Sequence, residues 1–341
     1  MNQPFSTRRL LYPLIPLYRL ALAFRAMRLR TGLEPIRRLR FPVVSIGNLS
    51  TGGSGKTPLT IALAKALQQR GLRVDVLSRG YGRQSQLATR VNPDGSAEEF
   101  GDEPLLIARH AVIPVYVAPQ RYDAGLLAEA DASPAAHEGQ PPAIHLLDDG
   151  FQHRQLARAV DILLVNHRDW HDWLLPAGNL REPLKAARRA TVIVIPADEP
   201  ELEAELRTWG WLGPVWRLRR TTGIPAISGP VAAFCGIALP EQFFQGLKGA
   251  GLHLAARIAF PDHFPYTRAV LEELLTKARA AGATTLVTTE KDLVRMGKLV
   301  SVFPESMPLV TARLRVEIEN QAAAIDWLID RLGPSSPNSP L

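Results

Sequence analysis

The sequence predicts an α/β protein, in which a doubly wound, mostly parallel sheet is followed by a second, smaller α/β domain. Short apolar segments alternate with helical patterns along most of the chain. The segments are apolar throughout, as is typical of parallel strands that are buried on both faces. At 341 residues the chain is long enough for two domains of ordinary size. We predict a division into residues 1–40, 41–215 and 216–330, followed by a disordered Pro- and Ser-rich tail, 331–341.

The composition is that of a globular protein, with 46% hydrophobic and 21% charged residues. The formal net charge is +7, and the first 40 residues hold nine arginines against one acid, Glu34, a local excess of eight (nine minus one). A basic segment beside apolar residues indicates an anionic membrane surface or an anionic ligand. Cys235 is the single cysteine, which excludes an intrachain disulfide and a cysteine-based zinc site and fits a reducing cytoplasm.

The segment 1–40 is predicted to contain an amphipathic helix that lies at a membrane interface. Leu10–Met27 is interrupted by two prolines and two arginines, so it is too short and too charged for a spanning helix, and no signal-peptide cleavage site follows it. Apolar residues recur at helical spacing from Leu17 onward. They are Leu17, Leu20, Ala21, Phe24 and Met27. The alternative is a helix packed on the protein's own core, with arginine side chains extending to solvent.

Six strands and three helices are predicted in the first domain. The strands are Val43–Gly47, Val74–Ser78, Ile113–Ala118, Ile144–Leu147, Ile162–Val165 and Val192–Ile195. The helices are Leu59–Gln69, Glu103–His110 and Tyr122–Ala130. Ligands of such sheets bind beyond the carboxyl ends of the strands, so the loops that leave the strands are the candidate site.

The loop after the first strand is a P-loop, which makes the predicted fold P-loop NTPase-like. Its residues are Ser50, Thr51, Gly52, Gly53, Ser54, Gly55, Lys56 and Thr57. Backbone N–H groups of such a loop and the following helix N-terminus bind phosphates, the Lys56 ammonium reaches the β- and γ-phosphates, and the Thr57 hydroxyl ligates Mg²⁺. Ser50 replaces the first glycine of the usual pattern. The alternative is a glycine-rich helix start without a ligand.

Four further loops of the first domain carry polar residues. Asp148 and Asp149 end an apolar strand, as in a Walker B element whose carboxylate holds Mg²⁺, and two adjacent carboxylates need a cation or donors nearby. Arg79–Arg83 is a cationic loop that could clamp a phosphate or cover a sugar ring, or could be a solvated turn. Asp102 suits a helix N-cap, and that role alone would account for it. Leu175–Pro183 is a Gly/Pro-bounded loop with a charged pair.

The second domain repeats the α/β pattern after a Trp-rich turn. We predict strands Val231–Gly236, Ala255–Phe260 and Thr285–Thr289 and helices Glu241–Ala250 and Arg268–Ala281. The loop Pro261–Tyr266 places His263 beside an aspartate, which makes it a candidate proton-transfer group or an ordinary surface histidine. Thr288–Asp292 is a second polar cluster at a strand end.

Together these motifs resemble the tetraacyldisaccharide 4'-kinases of lipid A biosynthesis. The resemblance is carried by Gly47–Leu49 with the loop that follows it, Ser78–Gly82, Gly101–Pro104, Asp148–His153, Leu175–Gly178, Arg181–Pro183, Asp262-His263 and Thr289–Asp292. They occur in the expected order along most of the chain. Position 264 is Phe where many members have a polar residue, whereas His263 itself is in place.

The resemblance implies direct, Mg²⁺-assisted transfer of a phosphoryl group from ATP to the 4'-hydroxyl of a lipid A disaccharide 1-phosphate. It also implies a peripheral, monotopic protein at the cytoplasmic face of a Gram-negative inner membrane, with no nucleic acid and no obligate protein partner. By resemblance, Asp102 accepts the hydroxyl proton and is paired with His263. Since these two lie in different predicted domains, domain closure could assemble the site. The resemblance also implies a catalytic role for Lys56, metal binding by Thr57, Asp148, Asp149 and Glu182, and substrate binding by Arg79, Tyr81, His153, Asn179 and Arg181.

Three other functions compete with this one. A regulatory nucleotide switch specific for guanine needs an Asn-Lys-x-Asp base reader, and the nearest run, Thr289–Asp292, has the wrong order. A kinase of a soluble small molecule would have its N-terminal helix packed on the core. A nucleic-acid-binding ATPase would fit the high pI, but the excess charge lies beside an apolar helix and not on an aromatic-studded groove.

Overall fold

The structure is a computed structural model that describes residues 7–53, 55–132 and 143–333. Within these ranges, hydrogen bonds join twelve strands into one sheet. The strands are β1 (Val43–Asn48), β2 (Arg73–Ser78), β3 (Thr89–Arg90), β4 (Val115–Val117), β5 (Ala143–Asp148), β6 (Val160–Leu164), β7 (Val192–Pro196), β8 (Val215–Gly223), β9 (Val231–Cys235), β10 (Leu254–Ala259), β11 (Thr285–Thr289) and β12 (Leu309–Ile318). Their order across the sheet is β10-β9-β11-β12-β8-β7-β6-β1-β5-β2-β4-β3.

Helices connect most of the strands. The α-helices of the described ranges are α1 (Ile15–Arg30), α2 (Lys56–Gln69), α3 (Ala97–Phe100), α4 (Asp102–Ala111), α5 (Arg121–Asp131), α6 (His167–Trp170), α7 (Glu201–Thr208), α8 (Pro240–Gly249), α9 (Arg268–Ala280), α10 (Glu290–Met296) and α11 (Gln321–Leu332). Short 3₁₀ helices span Thr7–Leu14, Leu184–Arg189 and Gly297–Val302.

The first half of the sheet is doubly wound, as its apolar strands predict. β1 lies at its centre between β5 and β6, and all three are parallel. Successive residues of β1 pack on opposite faces: Val44 and Ile46 join the core cluster of α2 and α4, whereas Val43 joins the cluster that contains Ala124 of α5. Because the strands are covered on both faces, their carboxyl ends are left as the edge at which loops gather.

Two strands that the sequence analysis did not predict, β8 and β12, join the halves of the sheet. β8 pairs with β7 in parallel and with β12 antiparallel, and β12 pairs with β11 in parallel. The predicted division at residues 215 and 216 falls at the start of β8, and the hydrogen bonds of the sheet continue across it. The chain then returns, since Ile325 and Leu328 of α11 belong to the core of the first half. The division into domains stays a prediction, and most of the tail, 334–341, lies outside the described residues.

The N-terminal segment is helical from Thr7 to Arg30, so the prediction that it is too short and too charged to span a membrane is wrong as judged by length and composition. Leu10–Arg30 forms a helix that is long and apolar enough to cross a membrane, judged by length and composition alone. Pro13 lies in the preceding 3₁₀ helix and Pro16 in the first turn of α1, where the missing N–H costs little. The prolines therefore do not interrupt the helix.

α1 is apolar on two faces. One face lies on the protein: Leu29 is buried, the Tyr18 hydroxyl donates to the Arg181 carbonyl at 2.8 Å, and Arg25 donates to the Gln152 carbonyl at 3.0 Å. The other face is exposed to solvent, and it is the face expected from the helical spacing. Its residues are Leu17, Leu20, Ala21, Phe24 and Met27. The alternative of a helix packed on the protein's own core therefore explains the apolar residues of the inner face, but it does not explain those of the exposed outer face.

Candidate active site

A cleft of about 1360 Å³ opens at the carboxyl ends of the central strands. Residues of both halves of the sheet line it, among them Lys56, Asp148, Arg79 and His263. The topology explains this convergence, because β1, β5 and β2 are parallel neighbours and each ends in one of the predicted functional loops. The second half reaches the same cleft through β12 and the loop that follows β10.

The P-loop leads directly from β1 into α2. Gly55 has a φ of +90°, a left-handed conformation that suits glycine, and α2 begins at Lys56. The Lys56 ammonium donates to Asn48 Oδ1 at 3.0 Å and lies 3.5 Å from Asp149 Oδ1. Thr57 is buried in the first turn of α2 and lines the cleft. Ser54 lies outside the described residues.

Ser50, the departure from the usual P-loop pattern, makes hydrogen bonds that glycine could not make. Its hydroxyl donates to Asp169 Oδ2 at 2.6 Å and accepts from Asn48 Nδ2 at 2.9 Å. The next residue is held through its backbone, since the Thr51 N–H donates to the Asn179 carbonyl at 2.8 Å. The loop is therefore supported by the segment 166–181, which includes α6.

The two carboxylates at the end of β5 have opposite environments. Asp148 is buried, and burial first, then the charges of Glu103 and Asp149, raises its pKa to about 7, against a partial effect of Lys56. Asp149 accepts a bidentate pair of hydrogen bonds from Arg181, at 2.9 and 3.1 Å. Burial alone would raise the pKa of Asp149, but Lys56 and Arg181 hold it well below the usual range. The negative charge of ionised Asp148 is therefore not fully compensated by its neighbours, and one added cation would compensate it.

Asp102 and His263 meet across the two halves of the sheet. His263 Nδ1 lies 3.1 Å from Asp102 Oδ2, and the Tyr81 ring lies 5.3 Å from the His263 ring. Asp102 also accepts from Arg295 Nε at 2.8 Å. Burial would raise the pKa of Asp102, but His263, Arg295 and Lys291 hold it well below its usual range, and the hydrogen bond with Asp102 raises the pKa of His263. His263 lines the cleft, whereas Asp102 is buried and is not among the residues described as lining it.

A cationic wall lies beside the carboxylate pair. It consists of Arg25, Arg79, Arg121 and Arg181, which line the cleft together with His153. Arg121 is 9% exposed, and burial lowers its pKa to about 10, so it remains charged at neutral pH. Burial first, then Arg121 and Arg158, lowers the pKa of His153 to about 3, so its imidazole is neutral. The arginines of the wall could therefore bind an anionic group, such as a phosphate, through its oxygens.

Two predicted site residues lie elsewhere. The Glu182 carboxylate accepts from Arg189 at 2.5 Å and is not among the cleft-lining residues that the structure describes, so it is not brought to the predicted metal ligands. The Asn179 side chain donates to Asp172 at 2.8 Å, and the residue acts on the site through the carbonyl that receives Thr51. In this structure Asn179 supports the P-loop, and its contact with the substrate stays a prediction.

The sequence analysis missed several residues that complete the site. They are Asn48, Glu103, Arg121, Lys291 and Arg295. Asn48 and Glu103 stand inside motifs that the analysis quoted, and Lys291 stands in the polar cluster after β11, so proximity in sequence was a usable signal. Arg121 and Arg295 begin or end ordinary helical patterns, and no local pattern sets them apart.

Comparison with known proteins gives consistent results along the whole chain. The family model described as tetraacyldisaccharide-1-P 4'-kinase (LpxK) matches residues 7–333. The tetraacyldisaccharide 4'-kinase of Koribacter versatilis is 41% identical over 328 residues, which are 93% of this chain and 97% of that protein. The tetraacyldisaccharide 4'-kinase of Pelobacter propionicus is 39% identical over 345 residues, covering 95% and 92%.

A solved structure shares both fold and sequence with this chain. It is the crystal structure of the "apo" form of LpxK from Aquifex aeolicus in complex with ATP, with 33% identity, a TM-score of 0.73 and coverage of 96% of this chain and 100% of that one. The similarity confirms the predicted α/β fold class. The chain therefore belongs to the tetraacyldisaccharide-1-P 4'-kinase family.

Proposed function

We propose that this protein transfers the γ-phosphoryl group of ATP to the 4'-hydroxyl of a tetraacyldisaccharide 1-phosphate, giving lipid IVA in lipid A biosynthesis. The observation that carries the proposal is one cleft in which a P-loop lysine, an aspartate pair and a histidine–aspartate pair converge. Family membership and the similarity to an ATP-bound structure support it.

The P-loop residues bind and orient the triphosphate. Backbone N–H groups of the loop and the positive end of α2 face the phosphates. Lys56 exchanges its contacts with Asn48 and Asp149 for phosphate oxygens, and it offsets the charge that develops on the transferred group. Asn48 is held by Arg181 at 2.6 Å, so the loop keeps its position when Lys56 moves.

The oxygen donors beside the P-loop fit Mg²⁺. Thr57, Asp148 and Asp149 supply a hydroxyl and two carboxylates, the hard ligands that Mg²⁺ takes, and the raised pKa of Asp148 indicates that a cation is needed there. When bound, Mg²⁺ would neutralise phosphate charge. Thr60 donates to Asp148 Oδ1 at 3.0 Å and leaves the second carboxylate oxygen for a ligand.

The histidine–aspartate pair removes the proton of the acceptor hydroxyl. Asp102 is a weak base by itself, because His263, Arg295 and Lys291 hold its pKa low. His263 uses Nδ1 toward Asp102, which leaves Nε2 for the hydroxyl. In this division of roles Asp102 orients the imidazole and stabilises its protonated form, and the proton itself goes to His263. The role differs from that predicted for Asp102 from the resemblance.

The cationic wall binds the acceptor. Arg79, Arg121 and Arg25 offer guanidinium groups that suit a phosphate and sugar hydroxyls, while Tyr81 can cover a sugar ring from beside His263. Binding energy from this remote part of the substrate is available to position the hydroxyl in line with the γ-phosphorus.

The test is a phosphoryl-transfer assay with tetraacyldisaccharide 1-phosphate, ATP and Mg²⁺. The wild type should transfer phosphate from ATP in preference to GTP, Lys56→Ala should lose transfer, and His263→Ala should lower kcat more than it raises the KM for ATP. Lys298→Ala, on the 3₁₀ helix Gly297–Val302, is the matched control and should be fully active. GTP preference or hydrolysis without an acceptor product would indicate a regulatory switch and overturn the proposal.

We also propose that the outer face of α1 associates with the cytoplasmic face of a bacterial inner membrane. An exposed apolar face with arginines at its borders suits an anionic lipid surface, and the acyl chains of the acceptor require one. The helix is long enough either to lie in the interface or to span the bilayer.

Flotation with anionic liposomes tests the association. Leu20→Ser with Phe24→Ser should leave most of the protein in the soluble fraction. The control pair Leu87→Ser with Leu212→Ser changes side chains that are 75% and 94% exposed elsewhere and should float like wild type. Equal flotation of both pairs would contradict the role of α1, and absence of flotation of the wild type would favour a kinase of a soluble substrate.

A further inference from the structure

A histidine–histidine–carboxylate cluster lies outside the cleft. His167 opens α6, His171 follows its last residue, and Glu205 lies on α7. His167 Nε2 is 3.5 Å from Glu205 Oε1, and His171 Nε2 is 3.0 Å from Glu205 Oε2. One ligand atom from each residue lies within 4.8 Å of the others. No member of the cluster is among the cleft-lining residues that the structure describes, so the proposed kinase mechanism does not use it.

The spacing of these atoms is close to that of a tetrahedral transition-metal site. Zinc bonds to nitrogen and oxygen of about 2.0–2.1 Å place neighbouring tetrahedral ligands about 3.3 Å apart. Each histidine lies near this distance from one of the two Glu205 oxygens, and the three ligand atoms lie within 4.8 Å of one another, so small side-chain rotations would bring them to one metal ion. Two imidazoles and one carboxylate favour Zn²⁺ over Mg²⁺, which prefers oxygen ligands alone. Both histidine side chains are more than half exposed, at 57% and 52%, so water can fill a fourth position.

The elements that carry the cluster are fixed to one another. The Asn166 side chain caps α6 by accepting from the Asp169 N–H at 2.8 Å, and the His167 N–H donates to Glu199 at 2.6 Å. The Trp170 ring meets the Trp209 ring edge-on at 5.3 Å, which packs α6 against the end of α7. The ligands are therefore largely preformed, and little conformational entropy would be lost when a metal binds.

The same short helix holds the P-loop. Asp169, between the two histidines, accepts from the buried Ser50 hydroxyl at 2.6 Å. Asp172 accepts from Asn179, whose carbonyl receives the Thr51 N–H. Any ligand that fixes α6 against α7 also fixes the support on which the P-loop begins. The observed contacts thus connect the cluster to the nucleotide site by two routes, one through Asp169 and one through Asp172 and Asn179, without a shared residue.

We propose that His167, His171 and Glu205 form a Zn²⁺-class site that stabilises the junction of α6 and α7 and, through Asp169, the start of the P-loop. Occupancy lowers the fluctuation of Ser50 and Thr51 and so favours nucleotide binding. The site is separate from the Mg²⁺ ligands, and its metal takes no part in phosphoryl transfer. The metal-binding part of the proposal does not depend on the kinase assignment, whereas the coupling to ATP rests on the proposed nucleotide site.

Metal binding is tested first on the full chain freed of metal with a chelator. Titration with ZnCl₂ against a chromophoric competitor should give one tight equivalent in the wild type and a rise in melting temperature. His167→Ala and His171→Ala should each lose that equivalent and the thermal shift. His253→Ala, an exposed histidine on the loop before β10, is the control and should bind like wild type. Absence of a tight equivalent, or its survival in both variants, would overturn the site.

The coupling is tested by the affinity for ATP, measured by equilibrium binding at saturating Mg²⁺ with and without buffered Zn²⁺. Zn²⁺ should tighten ATP binding a few-fold in the wild type and in His253→Ala and should change nothing in His171→Ala. Without Zn²⁺ the three proteins should bind ATP equally. Equal ATP affinity of the wild type with and without Zn²⁺ would overturn the coupling, and loss of kinase activity at unchanged Zn²⁺ binding would count only against the proposed function.

Discussion

Arg295 holds Asp102, the partner of the proposed proton acceptor His263, from the opposite half of the sheet. Its Nε donates to Asp102 at 2.8 Å, and Nη1 reaches Asp292, which is buried and also accepts from Tyr266 at 2.9 Å. The guanidinium thus binds two carboxylates at once and is itself 7% exposed. A planar, permanently charged fork is the group that can hold such a pair in a fixed geometry. Arg295 is therefore a positioning residue for Asp102 and, through it, for His263.

Arg295→Met should lower kcat about 10- to 100-fold, the cost of a small displacement of a catalytic group, with little change in the KM for ATP. Loss of the positive charge should also raise the pKa of Asp102 and shift the acid limb of the kcat/KM–pH profile. Arg295→Lys should recover part of the rate, and it keeps the test valid if the methionine variant is too unstable to purify. Arg268→Met removes an exposed ion pair with Glu272 and is the control. An unchanged pH profile would contradict the positioning role.

Asp148→Asn should stabilise the protein above neutral pH while phosphoryl transfer is lost. The pKa of Asp148 is raised in the folded state to about 7, from about 3.9 in an unfolded chain, so the folded state binds the proton more tightly. Stability from this group is present at low pH and is lost as pH rises from about 4 through 7. Removing the charge should thus add on the order of 2 kcal/mol to the free energy of unfolding at pH 8 and much less at pH 5.

Urea denaturation without Mg²⁺ at the two pH values measures this difference. Asp94→Asn is the control, because Asp94 is exposed on the loop before α3. An equal gain at both pH values, or a loss at pH 8, would show that Asp148 is not the source of the pH dependence. Mg²⁺ with ATP should raise the stability of the wild type and not that of Asp148→Asn.

At the scale of elements, the sequence predicted the parallel part of the fold and missed the antiparallel ribbon. The apolar strands carry their own signal, because each is buried on both faces. β8 alternates instead: Trp216 and Leu218 are buried, whereas Arg217 and Arg219 are exposed. This period-2 pattern is present in the sequence, but Trp216 was assigned to the predicted Trp-rich turn, and the arginines that follow it were not predicted to form a strand. Its partner β12 lies about 90 residues away, and no local pattern encodes a pairing at that distance.

The residues of the candidate site likewise separate into those with a local sequence signal and those whose role depends on tertiary contacts. Lys56, Asp148 and His263 stand in loops whose composition is chemically unusual, so the sequence pointed to them and the parallel topology brings them together. Arg295 has a role only because α10 packs against α4, which is a tertiary contact. Glu182 was expected at the metal, but Arg189 accounts for its carboxylate. Charged residues near a motif can form ion pairs with each other instead of binding a ligand, and the sequence does not tell which pairs form.

The close packing of the loop after β5 on β1 gives a prediction for Gly47. A Cβ at this position would lie 2.6 Å from Phe151 Cβ and 2.8 Å from the Phe151 nitrogen, and Phe151 is fully buried. Gly47→Ala should therefore displace the turn that carries Asp148 and Asp149, at a cost of about 1–3 kcal/mol, and should lower transfer activity. Gly249→Ala is the control, since its Cβ would meet open space at the end of α8. Wild-type stability of Gly47→Ala in urea denaturation would refute the contact.

For the whole molecule, the decisive feature is that the chain returns to its first half after completing the second. β12 inserts between β8 and β11, and α11 then packs on α2, the helix that the P-loop opens. Trp327 of α11 meets Trp216 of β8 edge-on at 5.8 Å. Core formation around the nucleotide site thus requires residues from the last part of the described chain, and we expect the two halves to unfold together.

Leu328→Ala tests this cooperativity. Leu328 is fully buried in the core that contains Leu63 and Leu67 of α2, so its truncation should cost about 2–5 kcal/mol. If the halves form one cooperative unit, exposure of the buried Cys235 thiol in β9 and loss of binding of a fluorescent ATP analogue should occur at the same urea concentration, and both midpoints should fall together in the variant. Leu212→Ala, at a side chain that is 94% exposed, should leave both midpoints unchanged. Separate midpoints, with only the ATP-binding transition shifted by the substitution, would show that the sheet joins two independent units.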